Sequence, residues 1–268
     1  MSRIVVFYSG GVASYCAARR VAEDNPLLLF TDTRYEDPDL YRFLDESANK
    51  LGCELVKIAD GRTPWEVFRD ERFLGNTRAD PCSRILKRDL AKKWVREHFP
   101  ESYDATLVVG LSWDETHRIG PVRKSWEPYR VRAPLTDYPL MSKPEMLAQV
   151  RADGMEPPRL YAMGFPHNNC GGFCVKAGQA HFRHLLRVLP EKYAEAEAEE
   201  QSLRATLGDV AILRDRRGGT TTPLPLRTLR EGVEAGTLAL ADDWGGCGCF
   251  SDDGAQKPGS GGDVGVGS

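Results

Sequence analysis

No stretch of this chain approaches the roughly 20 consecutive apolar residues that a membrane-spanning helix needs, so the sequence predicts no contact with a bilayer. Cysteine is scarce as well. Seven cysteines in 268 residues are too few for a disulfide scaffold, and a chain of this length can bury a core without one. A reducing, cytoplasmic setting is expected, in which clustered cysteines serve as ligands or redox groups. An excess of one charge is also missing: the formal net charge is −3, which gives no global signature for non-specific nucleic-acid binding. There is no internal repeat, and Met1-Ser2-Arg3 leads straight into an apolar run without a signal-peptide pattern.

That apolar run opens the informative part of the chain. Val5-Val6-Phe7-Tyr8 breaks into Ser9-Gly10-Gly11-Val12-Ala13-Ser14 and then into a helical pattern. Adjacent glycines at a strand-to-helix turn let several backbone N–H groups point at one spot. The new helix adds its own unpaired N–H groups and the positive end of its dipole. Phosphate or pyrophosphate suits such a turn; an ordinary βα turn, in which Gly-Gly supplies positive φ, is the alternative.

The first half alternates strand and helix. Strands are expected at residues 4–8, 26–31, 54–58 and 105–111, and helices at 14–23, 39–51, 63–70 and 83–99. Apolar strands separated by helices predict a doubly wound, mostly parallel α/β sheet, which binds ligands at the carboxyl ends of its strands. The expected division is a nucleotide-binding α/β part over 1–160, a helical, cysteine-containing part over 161–250 and a disordered Gly/Ser/Asp-rich tail over 251–268. In the second half, Ser142-Lys143-Pro144-Glu145 is a capping box opening a helix to Val150. Helices are expected at 177–188, 190–207 and 225–235, the second with a solvent-exposed Ala/Glu face.

Asp32, at the end of the second strand, suits a ribose or a metal ion, or else caps a turn. Glu36, Asp37 and Asp39 read as helix-start acids. Cys82 sits at an expected helix start with Arg84 and Lys87 one turn on, a setting that favours thiolate; Arg84, Lys87 and Arg88 also form an anion-binding surface. After the fourth strand, Gly110 to Arg118 carries Glu115 and begins a basic string that continues through Arg123, Lys124, Arg130 and Arg132. Cys170 and Cys174 bracket a Gly-Gly hinge. With Cys82 they make three thiolates, and His167 is a candidate fourth ligand. Three cysteines suit an iron–sulfur cluster, and Cys3His suits zinc. Cys247 and Cys249 form a C-x-C that could shuttle sulfur or electrons. Cys16 and Cys53 read as apolar fillers, and His181 and His184 as packing or surface residues.

In chain order these segments resemble the adenine-nucleotide α-hydrolase (HUP-type) superfamily, and within it the phosphoadenosine phosphosulfate (PAPS) reductase-like branch, over roughly residues 3–179. Ser9 to Ser14 is similar to the PP-loop of that family, and Phe30-Thr31-Asp32-Thr33 to its second strand end. Pro81-Cys82-Ser83-Arg84-Ile85-Leu86-Lys87 resembles its Cys…Lys helix start, and Gly110 to Arg118 its Gly-x-x-x-x-Glu-Ser-x-x-Arg loop. Ala133 to Tyr138 resembles its Pro-Leu-x-Asp-Trp segment, and Leu160 to Cys174 the Leu-Tyr-x-x-Gly stretch before its cysteines.

The resemblance implies an enzyme that binds ATP with Mg2+ through Ser9, Gly10, Gly11, Val12, Ala13, Ser14, Asp32, Gly110 and Glu115. It would adenylate an acceptor with release of pyrophosphate. Sulfur from a donor would pass through Cys82, Cys170 and Cys174, holding a four-iron four-sulfur (4Fe-4S) cluster or Zn2+ with His167, while Lys87, Arg84 and Arg118 neutralise phosphate charge. The acceptor would be a nucleic acid or nucleotide, and a homodimer is left open. Ala13 stands where the common loop carries Asp; both glycines and both serines are kept, which favours ATP over a sulfated nucleotide. Two other readings stand beside this one. One is a PAPS or adenylyl-sulfate reductase using Cys247 or Cys249 as nucleophile; the other is a nucleotide-binding regulatory module with structural zinc.

Overall fold

Buried runs of β-branched and aromatic residues build the centre of the protein. A computed structural model describes residues 2–74, 80–216, 219–238 and 243–245. Cys247, Cys249 and the tail at 251–268 lie outside the described residues. Five strands, β1 (Arg3–Phe7), β2 (Leu27–Asp32), β3 (Glu54–Ala59), β4 (Ala105–Val108) and β5 (Arg130–Arg132), form one parallel sheet in the order β3-β2-β1-β4-β5. The expected doubly wound α/β sheet is what is observed. The chain winds from β1 outward to β3, then returns to the other side of β1 with β4. The switch point therefore lies between β1 and β4, where open α/β sheets place their ligands.

Eleven helical segments of α type are described: α1 (Val12–Arg19), α2 (Pro38–Leu51), α3 (Pro64–Asp70), α4 (Pro81–Ser83), α5 (Leu90–His98), α6 (Ile119–Trp126), α7 (Lys143–Ala152), α8 (Arg159–Ala162), α9 (Gln179–Val188), α10 (Pro190–Leu207) and α11 (Leu226–Glu234). A short antiparallel pair, β6 (Leu213–Asp215) and β7 (Thr222–Leu224), lies among the last of them. Local chemistry explains the starts. Asp37 accepts a hydrogen bond from the Asp39 N–H ahead of Pro38, and Thr63 and Ser142 form capping boxes with Glu66 and Glu145.

Alternation along each strand divides the core. Val6, Tyr8, Leu28 and Phe30 pack with residues of α1, α2 and α7 on one face. Val5, Phe7, Leu29 and Leu107 pack with Ala91, Val95, Val122 and Trp126 on the other. A third cluster joins Tyr35, Trp65 and Phe68 to Leu160, Phe173, Phe182, Tyr193, Leu203 and Leu229, so the last third of the chain shares its core with the loop after β2 and with α3.

Three expectations need correction. The helix expected over 83–99 is broken into α4, a π-helical turn at Arg84–Asp89 and α5. Two neighbouring basic side chains, Lys87 and Arg88, are both buried there, and a widened turn suits turning consecutive residues inward. The fourth strand ends at Val108 rather than 111, and β5 forms from residues read only as part of a basic string. Finally, only one side of the Ala/Glu surface of α10 is exposed: Glu191, Ala194, Glu195 and Ala198 face solvent as expected, and the opposite side does not. Ala196, Glu197 and Glu200 are buried. Glu200 accepts hydrogen bonds from the Ile212 and Leu226 N–H groups, and Glu197 pairs with Arg230 and Arg227. The carboxylates terminate neighbouring backbone and cations instead of meeting solvent.

Candidate active site

At the switch point the loop after β1 meets the residue after β4. Gly10 has φ +75°, and a Cβ there would stand 2.8 Å from the Leu40 side chain. Gly110 is just as constrained: a Cβ would lie 2.8 Å from the backbone of Ser14. Both positions therefore require glycine. The loop is tied down from several sides. The Ser14 hydroxyl donates to the Gly11 carbonyl at 2.8 Å, the Asn168 amide donates to the Gly10 carbonyl at 3.1 Å, and the Val12 N–H donates to the Tyr161 hydroxyl at 3.3 Å.

Beside this contact lies a cleft of about 150 Å³, open at its mouth. Ser9, Gly11, Ala13 and Ser14 line one wall, with Gly110, Glu115 and Arg118 opposite; Lys143, Tyr161, His167 and Asn168 close it. Gly10 and Val12 do not line it, since Gly10 faces Leu40 and Val12 is buried in the core. Glu115 belongs to a capping box with Ser112 and pairs with Arg118. Two of the lining residues carry a buried acceptor-capable atom without a hydrogen-bond partner among the described residues, His167 at Nδ1 and Asn168 at Oδ1. Burial pushes the His167 imidazole down to about 3, so it is neutral at physiological pH. The polar, glycine-cradled wall, the cations Arg118 and Lys143, and these unpaired atoms fit a phosphorylated ligand. Glu115 is the one carboxylate among the lining residues, so a Mg2+ ion would depend chiefly on the ligand's own oxygens.

Asp32 is not part of this wall. Its carboxylate accepts from the Arg34 N–H at 2.8 Å and the Tyr41 hydroxyl at 2.9 Å, which is the turn-capping alternative. Arg84 also points elsewhere. It is exposed and pairs with Glu71 at 2.8 Å and Asp89 at 3.5 Å.

The cysteines meet at a second, smaller pocket. Cys82, Cys170 and Cys174 line it together with Thr33, Asp80, Lys87 and Lys176. It has room for little more than one water molecule. His167 is not there; its ring stacks on His181 with centroids 5.4 Å apart beside the cleft. Among the described residues no group of three or more His, Cys, Asp or Glu side chains is gathered to hold a metal ion. As packed, these residues fit neither a 4Fe-4S cube nor a Cys3His zinc site.

Buried ion pairs frame the thiol pocket. Arg88 forms a two-pronged contact with Asp80 at 3.0 and 3.2 Å, Lys176 lies 3.6 Å from Asp80, and Lys87 lies 3.3 Å from Glu36. Sequence reasoning passed over Glu36, Asp80, Asn168 and Tyr161 as site residues. A carboxylate four residues after a strand end resembles a helix-start acid, and what separates Glu36 from Asp37 is its partners: Glu36 meets the Cys170 N–H and Lys87, whereas Asp37 caps α2 and pairs with Arg159. Cys16, on the inner face of α1, is buried as expected. His181, fully buried, donates from Nε2 to the Gly172 carbonyl at 2.7 Å.

No family model matches the chain, and no curated protein matches its sequence. Solved structures do. A PAPS reductase from Candida auris, determined as a phosphate complex, is 13% identical with a TM-score of 0.45, over 62% of this chain and 79% of that one. A predicted subunit of tRNA methyltransferase from Methanocaldococcus jannaschii is 16% identical with a TM-score of 0.34, over 59% and 90%. The ammonia-dependent NAD synthetase of Campylobacter jejuni, in complex with nitrate, is 14% identical with a TM-score of 0.36, over 76% and 83%.

Proposed function

We propose that this protein is an enzyme that binds ATP in the cleft between β1 and β4 and transfers its adenylyl group to an acceptor. The observation that carries this reading is the contact of Gly110 with Ser14, which presses the cleft's two walls together around the start of α1. Backbone N–H groups of Gly11, Ala13 and Ser14 would face the phosphates, with Arg118 and Lys143 drawing off charge as the leaving group departs. An acceptor oxygen attacks the α-phosphorus, the α–β bond breaks, and pyrophosphate carries away the electron pair. Neutral His167 and Asn168 would orient the acceptor through their unpaired atoms.

The thiol pocket gives the second half of the reading. A sulfur nucleophile, brought by a donor and handled at Cys82, Cys170 and Cys174, displaces AMP from the activated acceptor. Lys87 and Lys176 would hold negative charge near these thiols. No step passes through a metal at the cysteines, because the described residues do not form a ligand set for one. Turnover of α-labelled ATP to AMP, with pyrophosphate release that depends on an added nucleotide or RNA acceptor, tests this. Sulfite release from a sulfated nucleotide, with no cleavage of ATP, would overturn it in favour of a reductase.

A further inference from the structure

Three consecutive residues at the start of the cysteine loop have left-handed backbone: Cys170 at φ +51°, Gly171 at +61° and Gly172 at +84°. The two glycines take this conformation freely, whereas Cys170 does not, and something must hold it there. The turn is pressed close against the chain after β2, since a Cβ on Gly171 would stand 3.1 Å from the Tyr35 carbonyl oxygen. Glu36 lies at this contact. Its side chain is 1% exposed. One oxygen accepts from the Cys170 N–H, and the other accepts from the Thr33 hydroxyl at 3.0 Å and from Lys87 at 3.3 Å. Thr33, Lys87 and Cys170 all line the thiol pocket. Glu36 and Gly171 line a separate, open cavity of about 480 Å³.

We propose that Glu36 is a positioning residue: its buried carboxylate fastens the strained turn at Cys170 and the Lys87 ammonium to one anchor, so that the Cys170 thiol is kept in the small pocket and away from the open cavity. A buried carboxylate accepting from a backbone N–H, a hydroxyl and an ammonium has its oxygens well satisfied, which is the arrangement that makes such burial tolerable. Removing it frees the N–H and leaves Cys170 in a backbone region that a non-glycine residue leaves readily. The proposal rests on the reading of the pocket as the place of thiol chemistry, but its test uses no nucleotide. Its failure is therefore separable from failure of the ATP reading.

The test is labelling of the full chain with iodoacetamide, read cysteine by cysteine by mass spectrometry. In Glu36→Ala the rate at Cys170 is expected to rise about tenfold or more, the factor that accompanies loss of a hydrogen bond to a charged group. Cys16 and Cys53, far from the turn, keep their rates and report that the fold is intact. Glu36→Gln retains an oxygen that can accept from the Cys170 N–H and should label as the wild type does. An unchanged rate at Cys170 in Glu36→Ala, a joint rise at Cys16 and Cys53, or a Gln variant as reactive as the Ala variant would each overturn the assignment. If Glu36→Ala does not fold, hydrogen exchange of the wild-type Cys170 amide decides: slow exchange supports the anchor, and exchange at the rate of an exposed loop removes it.

Discussion

At the scale of single residues, this protein concentrates its buried charge around the thiols. Asp80 is 4% exposed in its side chain and faces both Arg88 and Lys176. Removing one member of a buried pair leaves an uncompensated charge. Asp80→Ala is therefore expected to lower stability by about 3–5 kcal/mol, read from urea denaturation, well beyond the effect of removing the exposed Arg84. The stacked imidazoles of His167 and His181 make a second prediction. Burial lowers both, His167 to about 3, so the folded protein keeps them neutral while the unfolded chain protonates them near pH 6.5. Stability from this source is present above pH 6.5 and is lost as pH falls toward 3. Each group contributes a slope of up to about 1.4 kcal/mol per pH unit below 6.5. Denaturation at pH 7 and pH 5 should show a shallower loss in His167→Gln than in the wild type.

At the scale of elements, what was legible in the sequence followed from local rules. The helix start at Thr63-Pro64, the capping box at Ser142, the helix-start acid Asp37 and the buried runs of β1 and β2 are each written in neighbouring residues, and all appear where expected. The glycine loop was legible for the same reason. The π-turn at Arg84–Asp89 was not, because its cause is distant: Lys87 and Arg88 find Glu36 and Asp80 only after folding. The buried face of α10 was hidden likewise, since Glu200 looks like a surface residue until Ile212 and Leu226 bring their N–H groups to it. Tyr193 on α10 is fully buried and donates to the Leu226 carbonyl at 2.7 Å. Tyr193→Phe keeps the ring and removes only this hydrogen bond, so a loss of about 0.5–1.5 kcal/mol is expected in chemical denaturation.

At the scale of the whole molecule, the order of strands brings the two glycine-dependent loops together, and a prediction follows from that closeness. A ligand that binds only the folded state stabilises it by about 2.7 kcal/mol at a hundredfold excess over its Kd, so ATP should raise the melting temperature of the wild type. Gly110→Ala forces a Cβ onto the Ser14 backbone; it should cost about 1–3 kcal/mol through overpacking and abolish the ATP-dependent rise. The third core cluster reaches further still. Trp65 and Phe68 belong to the sheet-bearing part of the chain, yet they are covered by residues from 160 onward. Two rings of this size bury some 150–250 Å² apiece. A fragment cut after α7 would keep every strand of the parallel sheet and still present these rings to water, giving an adhesive, aggregation-prone species. The latter part of the chain is thus a lid on the fold as much as a carrier of cysteines, and a graft of the sheet alone onto another protein would have to bring its own cover.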